Sequence, residues 1–159
     1  MNELTEIKVT GQQEFMGIEI PVVEGGFGEN CKAILAKTIA EIHNVATKHI
    51  NELINKNIIR FKTGIDIIDL VVVLTAPELK ELGFTQQALN SYKGMRLKGN
   101  GGNIYLLSER GYAKLSLIFD GKEDISSFLI RDYFGNSELN YSKYVDGNNE
   151  RKEILLLES

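Results

Sequence analysis

Residues 47–56 carry the side chains whose types and spacing are best suited to recognition chemistry in this sequence. If the stretch is a helix, its polar face presents hydroxyl, amide and basic groups at Thr47, Lys48, His49, Asn51 and Asn55. An asparagine amide offers a paired donor and acceptor that matches adenine, and a lysine can reach guanine. Lys56 and Arg60 follow and are suited to phosphate contacts. The pattern therefore favours contacts with base edges in a DNA major groove.

The surrounding stretch, residues 36–55, has the layout of a helix-turn-helix. Apolar side chains recur where two crossing helices must bury them, at Ile39, Val45, Ile50 and Leu53. Ala40 stands where the helices touch most closely, and Asn44 occupies a turn that usually needs a left-handed backbone. His43 departs from the pattern, since an aliphatic residue is usual there. Two amphipathic helices joined by a short turn also occur in folds that never touch DNA, and that alternative stays open.

A second candidate contact lies at residues 93–107. Two short strands, 93–98 and 103–107, are predicted around the turn GNGG, which together make a hairpin. The first strand carries three basic side chains, Lys93, Arg96 and Lys98. A basic hairpin after a helix pair resembles the wing of a winged helix. A solvated surface hairpin is the alternative.

Composition places the chain among soluble globular proteins. It has 159 residues, of which 43% are hydrophobic and 25% charged, so one domain with an appendage is expected. No apolar run approaches the roughly 18–20 residues that a membrane span needs. The polar amino terminus is unlike a secretory signal. The single cysteine, Cys31, cannot form an internal disulfide, which fits a reducing cytoplasm.

The charge is unevenly distributed along the chain. The net charge of −4 argues against a nucleic-acid binder when it is taken whole. Residues 31–65 nevertheless hold six basic and two acidic side chains, and residues 93–119 hold five and one. Both positive segments contain candidate contact residues, and local field matters more than net charge for binding phosphate. Charge blocks of this size are also typical of solvated surface.

No pattern in the sequence indicates catalysis, a metal or a cofactor, and we expect the protein not to be an enzyme. The HExxH, CxxC and GxSxG motifs are absent. The glycine-rich stretch 25–30 lacks the GKS or GKT ending of a phosphate loop and favours a flexible connection. His43 is expected to be packed and His49 to lie at the surface. Asp66 and Asp69 are expected on opposite faces of a strand.

The element pattern predicts an α+β fold: a small mixed sheet with hairpins, a helix-turn-helix and the winged-helix-like hairpin. Strands are expected at residues 4–10, 18–23, 65–74 and 103–107. Helices are expected at residues 31–44, 46–57, 78–82, from 85 onward, 109–119 and 126–133. We assign residues 1–120 to a compact DNA-binding domain and 121–159 to a short acidic carboxy-terminal extension with strand-like runs at 138–145 and 151–157.

Local signals add detail to these elements. Thr75 and Glu78 have capping-box spacing, and Thr85 and Ser108 are expected to cap the helices that follow them. Pro21 indicates an edge position in its strand. Residues 70–74 are almost wholly apolar, so the strand that contains them is expected to be buried on both faces. In the helix at 109–119, Arg110 and Lys114 are expected on the exposed side.

Two stretches together resemble a known family. They are IAEIHNVATKHINELINKNIIRFKTGIDIIDL, residues 39–70, and IYLLSERGYAKL, residues 104–115. With their INxNxxRF and YLLSERGYAKL signatures, they look like the amino-terminal domain of phage antirepressors, in the wider group of KilA-N and Bro-N domains of phages and large DNA viruses. The resemblance covers residues 12–119. The short acidic tail and the apolar run 70–74 depart from the family's pattern.

The resemblance implies a small α+β DNA-binding domain of a prophage-encoded transcription regulator, acting in the cytoplasm of a bacterial host. Its partner would be double-stranded DNA, with no membrane contact. A homodimer is expected because one helix reads only a few base pairs. The rival hypothesis is a protein-interaction module that binds and inactivates a phage or host repressor without contacting DNA.

Overall fold

The computed structural model describes residues 5–119 and 123–135, which form a mixed α+β fold as predicted. The strands are β1 (Lys8–Phe15), β2 (Ile18–Glu24), β3 (Lys32–Leu35), β4 (Ile67–Asp69) and β5 (Tyr105–Leu107). The helices are α1 (Ala36–His43), α2 (Thr47–Lys56), α3 (Leu70–Val73), α4 (Ala76–Glu81), α5 (Gln86–Leu97), α6 (Glu109–Ile118) and α7 (Glu123–Phe128). The strands form one antiparallel sheet in the order β1-β2-β3-β5-β4.

The first two strands form the predicted hairpin, although β1 is shifted toward the turn. Met16 and Gly17 make that turn with positive φ angles of 52° and 80°. Strand β2 pairs with β3 only through its last two residues. Pro21 therefore lies where β2 has β1 alone as a neighbour, and its missing N–H costs no ladder hydrogen bond, as the edge prediction required.

The helix predicted from residue 31 begins five residues later. Lys32–Leu35 is strand β3, in the middle of the sheet, and Ile34 is fully buried. Asn30 adopts a left-handed conformation with φ 63° and does not cap a helix. The prediction was wrong because sheet pairing on both sides of an apolar segment outweighs its helical periodicity. Cys31, directly before this strand, is exposed.

Helices α1 and α2 form the predicted pair with the predicted turn. Asn44 ends α1 in the left-handed region, at φ 57° and ψ 49°. Ala40 is 2% exposed, and its carbonyl oxygen accepts a hydrogen bond from the Val45 N–H across the turn. His43 is buried, with Nε2 2.7 Å from the Tyr112 hydroxyl oxygen, and His49 is exposed, as expected for both.

The long strand predicted at residues 65–74 is not present. Only Ile67–Asp69 is strand, after which the Asp69 carboxylate accepts a hydrogen bond from the Val71 N–H and begins helix α3. Val72 is 79% exposed, so this apolar run is not buried on both faces. A side chain that caps a helix competes successfully with strand propensity at this point.

The predicted winglike hairpin is also wrong. Residues 93–97 continue helix α5, and β5 pairs with β3 and β4 instead. Gly99 follows the helix with φ 73°, and the Asn100 N–H donates to the Met95 carbonyl oxygen. A glycine-rich turn with left-handed residues ends helices as readily as it joins strands, and here it ends α5.

The three helix caps predicted from the sequence are confirmed. Thr75 accepts a hydrogen bond from the Glu78 N–H while the Glu78 carboxylate accepts one from the Thr75 N–H, which completes a capping box at α4. Thr85 caps α5, and Ser108 caps α6 through the Gly111 N–H. Each of these hydroxyls satisfies an N–H that a helix end leaves without an intrahelical partner.

The segment 123–135 packs into the core formed by α1, α2 and α6. Leu129, Ile130 and Tyr133, in a π-helical turn after α7, have no exposed surface. Packing thus extends beyond residue 120, where the sequence predicted the compact part to close. The strand-like runs at 138–145 and 151–157 lie outside the described residues.

The Tyr133 hydroxyl joins β2 to β3. It accepts a hydrogen bond from the Val23 N–H at 3.0 Å and donates one to the Ala33 carbonyl oxygen at 2.6 Å. Burial is the main cause that raises the pKa of Tyr133 to about 12. The hydroxyl therefore stays protonated and completes the pairing of two strands across the whole neutral range.

The raised pKa predicts alkaline sensitivity. The stabilisation that the protonated Tyr133 hydroxyl provides is complete below the ordinary tyrosine pKa of 10, and it is lost as pH rises through about 12. Tyr133→Phe is expected to lower the free energy of unfolding at neutral pH by about 1–3 kcal/mol, because it leaves a buried N–H and carbonyl unsatisfied. Urea unfolding at a series of pH values measures both. A variant as stable as the wild type, with an equally steep alkaline loss, would contradict the assignment.

Candidate functional site

Helices α2 and α5 and the turn at residues 99–102 enclose a groove of about 240 Å³, here called the α2–α5 groove. Thr47 and Asn51 of α2 form one wall. Ala88, Tyr92 and Met95 of α5 form the opposite wall, which is largely apolar. The two segments that the sequence predicted as DNA contacts therefore lie side by side.

A wider depression of about 440 Å³ adjoins this groove on the solvent side of α2. It is lined by Lys48, Glu52, Asn55 and Lys56 of the helix and by Asn100 of the turn. The two cavities share part of their α2 lining. The polar face of α2 thus lies open along much of its length, with the turn standing beside it.

The turn at 99–102 is held closely against α5. Gly102 has φ 83°, and a Cβ at this position would lie 2.4 Å from the Tyr92 carbonyl oxygen. The Arg96 guanidinium donates from Nη1 to the Gly102 carbonyl oxygen at 2.7 Å. Because only glycine permits this approach, the sequence GNGG fixes one end of the groove.

A hydrogen-bond network attaches α2 to the sheet beneath the groove. Asn51 donates from Nδ2 to the Asn103 carbonyl oxygen at 3.0 Å, and Asn55 donates from Nδ2 to Asn103 Oδ1 at 3.1 Å. Asn103 in turn donates to Asp69 at 2.9 Å. The Tyr105 hydroxyl donates to Asn55 Oδ1 at 2.6 Å. The network sets the position of α2 relative to β4 and β5.

Tyr105 keeps its proton in this network. Burial, followed by the nearby Asp69 carboxylate, raises the Tyr105 pKa to about 12. The hydroxyl therefore donates to Asn55 throughout the physiological range of pH, and the attachment of α2 does not vary across that range.

The structure changes the roles available to the predicted α2 residues. Lys48, His49 and Lys56 are exposed as expected, and Thr47 is half-buried in the groove wall. Asn51 is only 7% exposed, so the prediction that it lies on the open face is wrong. Asn55 is exposed, but both ends of its amide are engaged in the network. Residues that share one face of a helix can still differ in burial when a second helix, here α5, covers one edge of that face.

The predicted basic residues outside α2 divide in the same way. Lys93 is exposed on the last turns of α5, and Lys98 is exposed directly after that helix. Arg96 is partly buried and supports the turn through Gly102. Arg60 is also partly buried, and its carbonyl oxygen accepts a hydrogen bond from Lys114 Nζ at 2.9 Å.

The surface around the groove is strongly positive. Residues 47–56 and 86–102 contain one acidic side chain, Glu52, and five basic ones, Lys48, Lys56, Lys93, Arg96 and Lys98. The whole chain carries a net charge of −4. Such local concentration of one sign favours an anionic partner at this face.

The ionisable cluster around Asp66 has a structural role. Asp66 and Lys114 are fully buried and paired at 2.7 Å, which corrects the prediction that Lys114 faces solvent. Arg110 Nε lies 3.2 Å from the other Asp66 oxygen, and the Lys62 N–H donates to the carboxylate at 2.8 Å. This cluster joins α6 to the chain directly before β4, whereas Asp69 is the last residue of that strand. None of the residues in the cluster lines the groove.

Within residues 5–119 and 123–135, no group of three or more histidine, cysteine or acidic side chains could hold a metal ion. None of the helices described has the length and apolar character needed to cross a membrane.

Sequence reasoning missed several residues that shape this site. They include Asn103, Asp69 and Met95. Asp69 and Asn103 are 34 residues apart in the chain, and the antiparallel pairing of β4 with β5 brings them together. A useful signal was the recurrence of asparagine at residues 51 and 55, four apart on one helix face. Paired amides at that spacing fit a shared hydrogen-bonding partner inside the protein as well as they fit a base.

Comparison with protein families gives one informative match. A family model described as the ORF6N domain matches residues 28–118, more than half of the chain. The matched region runs from the loop before β3 through α6 and contains the whole α2–α5 groove. Comparisons with curated proteins and with solved structures give no match.

Proposed function

We propose, from the premise that this chain belongs to the ORF6N domain family, that it is a prophage-encoded transcription regulator that binds duplex DNA. The family is phage-associated and related to the Bro-N and KilA-N antirepressor-like group. It supports a phage-type regulatory role. DNA binding is the finer step, and it rests on the surface described above.

The observation that carries the proposal is the positive, polar face built by α2 and the end of α5. Lys48 and His49 are exposed at the start of α2, where a recognition helix approaches base edges. Lys56, Lys93 and Lys98 are exposed farther along the same face or on α5, and they suit phosphate contacts. Asn51 and Asn55 hold α2 in place through hydrogen bonds within the protein, and this scheme assigns them no contact with paired bases in the duplex.

The helix pair supplies the docking geometry. Helix α1 packs behind α2 through Ile39, Ala40 and Ile50, so the exposed face of α2 is the outer one. A single helix of ten residues covers only a few base pairs, and we propose that the regulator acts as a homodimer on a two-fold site. Its place of action would be the cytoplasm of a bacterial host.

One observation favours the rival function, capture of a repressor protein. Three isoleucines soon after α2 are exposed: Ile58 by 47%, Ile59 by 90% and Ile65 by 48%. A contiguous exposed apolar patch is typical of protein-binding surfaces, and these three side chains are candidates to form one. This function needs no DNA contact, and its binding would respond weakly to salt.

Lys48→Gln tests the proposal against a matched control. The substitution removes one exposed charge from the α2 face. We expect it to weaken binding to DNA from around the protein's own gene by about tenfold, because the loss of one charge-assisted contact changes the binding free energy by about the amount that corresponds to that ratio. Lys8→Gln removes a lysine that is also exposed, from β1, and should leave affinity nearly unchanged. Fluorescence anisotropy at low salt measures both. Equal affinities for the two variants would show that the α2 face is not the DNA surface.

A further inference from the structure

We propose that the α2–α5 groove takes one unpaired nucleobase that carries an amino group, such as adenine, from the DNA that the surrounding face binds. The inference rests on the proposed DNA binding and adds a mode of recognition to it. Bases read in this way leave the helical stack and enter a pocket in the protein. The groove, its charge and one buried amide each bear on this assignment.

The size of the groove fits one ring system. Its volume of about 240 Å³ is below the roughly 300–1,000 Å³ of sites that hold whole cofactors or drug-sized ligands. Ala88, Tyr92 and Met95 supply an apolar wall. The flat face of a base is stabilised against such a wall whichever of the four bases it is. Tyr92 is held in place by an edge contact with Phe84, with ring centroids 6.0 Å apart.

The amide of Asn51 favours bases that carry an amino group. Its Nδ2 donates to the Asn103 carbonyl oxygen, which fixes the orientation of the amide. Its Oδ1 is buried and accepts no hydrogen bond from any residue that the structure describes. A buried acceptor is stabilised when a donor reaches it. Adenine, cytosine and guanine present an exocyclic amino donor, whereas thymine presents two carbonyl acceptors and one ring N–H between them and has no amino group.

The charge at the rim selects a nucleotide over an apolar peptide side chain. Lys48 lies on the rim of both the groove and the adjoining depression, and Lys56 lines the depression. Both are placed to neutralise the phosphates that flank a base in the groove. Glu52 is the single acidic side chain in the two lining sets. A leucine or methionine from a protein partner would fill the apolar wall but leave these charges unused.

An unpaired base should therefore strengthen binding. Extruding a paired base from a duplex costs a few kcal/mol, and a base that is already unpaired avoids that cost. We expect a duplex with one bulged adenine to bind about tenfold more tightly than the same duplex fully paired. A bulged thymine, which lacks the amino donor, should show little of this gain.

The test compares these three labelled duplexes by fluorescence anisotropy on the wild-type protein and two variants. Ser91→Phe places a ring in the groove from an exposed position of its lining. Asn90→Phe, the matched control, places the same ring at the neighbouring exposed position, which is outside the lining. Ser91→Phe should abolish the preference for the bulged adenine without weakening binding to the paired duplex, and Asn90→Phe should preserve both.

The outcomes separate this inference from the proposed function. Equal wild-type affinity for the three duplexes overturns the base pocket and leaves duplex binding in place. Retention of the preference in Ser91→Phe places the unpaired base elsewhere and also overturns it. Binding to none of the three overturns the DNA-binding function itself. The wild-type comparison needs no variant, so a Ser91→Phe protein that fails to fold does not prevent a decision.

Discussion

Replacing Lys114 with methionine is expected to lower the free energy of unfolding by about 3–5 kcal/mol, which is a large part of the stability of a small domain. Lys114 and Asp66 have no exposed surface, and their ion pair is 2.7 Å long. The substitution fills the same space but leaves the Asp66 carboxylate short of its closest cation. It also leaves the Arg60 carbonyl oxygen without its lysine donor. Urea unfolding at neutral pH measures the loss.

Two controls show whether the loss comes from the buried charge. Lys80→Met makes the same chemical change at an exposed position of α4 and should shift stability by less than about 0.5 kcal/mol. The double variant Lys114→Met, Asp66→Asn removes both charges, and it should be more stable than Lys114→Met alone. If Lys114→Met were as stable as Lys80→Met, the buried pair would not have the role assigned to it.

Gly111→Ala is expected to destabilise the protein by about 3 kcal/mol or more. A Cβ at Gly111 would lie 1.9 Å from the Asp66 carbonyl oxygen, a backbone atom that cannot rotate away. That oxygen also accepts a hydrogen bond from the Ser108 N–H. Helix α6 would have to move away from the chain before β4, at the point where the buried ion pair joins them.

Gly94→Ala is the matched control for this prediction. Gly94 also lies within a helix, α5, but nothing stands within 4 Å of the Cβ position. Alanine is the better helix former, so this change should stabilise the protein by about 0.5–1 kcal/mol. Thermal unfolding of both variants should therefore give opposite shifts. Shifts of the same sign would mean that α6 does not approach the chain as closely as described.

Local chemistry made part of the fold predictable from sequence. After glycine, asparagine is the residue that best tolerates a left-handed backbone, and Asn44 adopts that conformation in the predicted turn. Thr75, Thr85 and Ser108 each precede a helix by the spacing that a hydroxyl cap needs, and each caps one. These signals act within four residues, so no tertiary information is required to recognise them.

Tertiary pairing decided the elements that the sequence did not predict. Residues 32–35 have helical spacing with the helix that follows, yet they form a central strand because β2 and β5 pair with them. Residues 93–98 precede a glycine-rich turn as the first strand of a hairpin would, yet residues 93–97 form the last turns of helix α5. Lys114 appeared to be a surface residue because its partner, Asp66, is 48 residues away in the chain.

For the candidate site, the sequence indicated which segments lie close together better than it indicated the role of each residue in them. Helix α2 and the segment 93–98 do meet, but they meet as two helices and enclose a groove. Burial of Asn51 by α5 and the turn at 99–102 depends on contacts that no single stretch of sequence reveals. The lysines of the same segments are exposed, and their phosphate contacts stay a prediction.

The salt dependence of DNA binding tests the central claim most directly, because each phosphate contact releases counterions and steepens the dependence. The double variant Lys48→Gln, Lys56→Gln should bind with a slope of log affinity against log salt that is shallower than the wild-type slope by about two. Equal slopes for the two proteins, or a wild-type affinity that does not respond to salt, would contradict DNA binding through the α2 face.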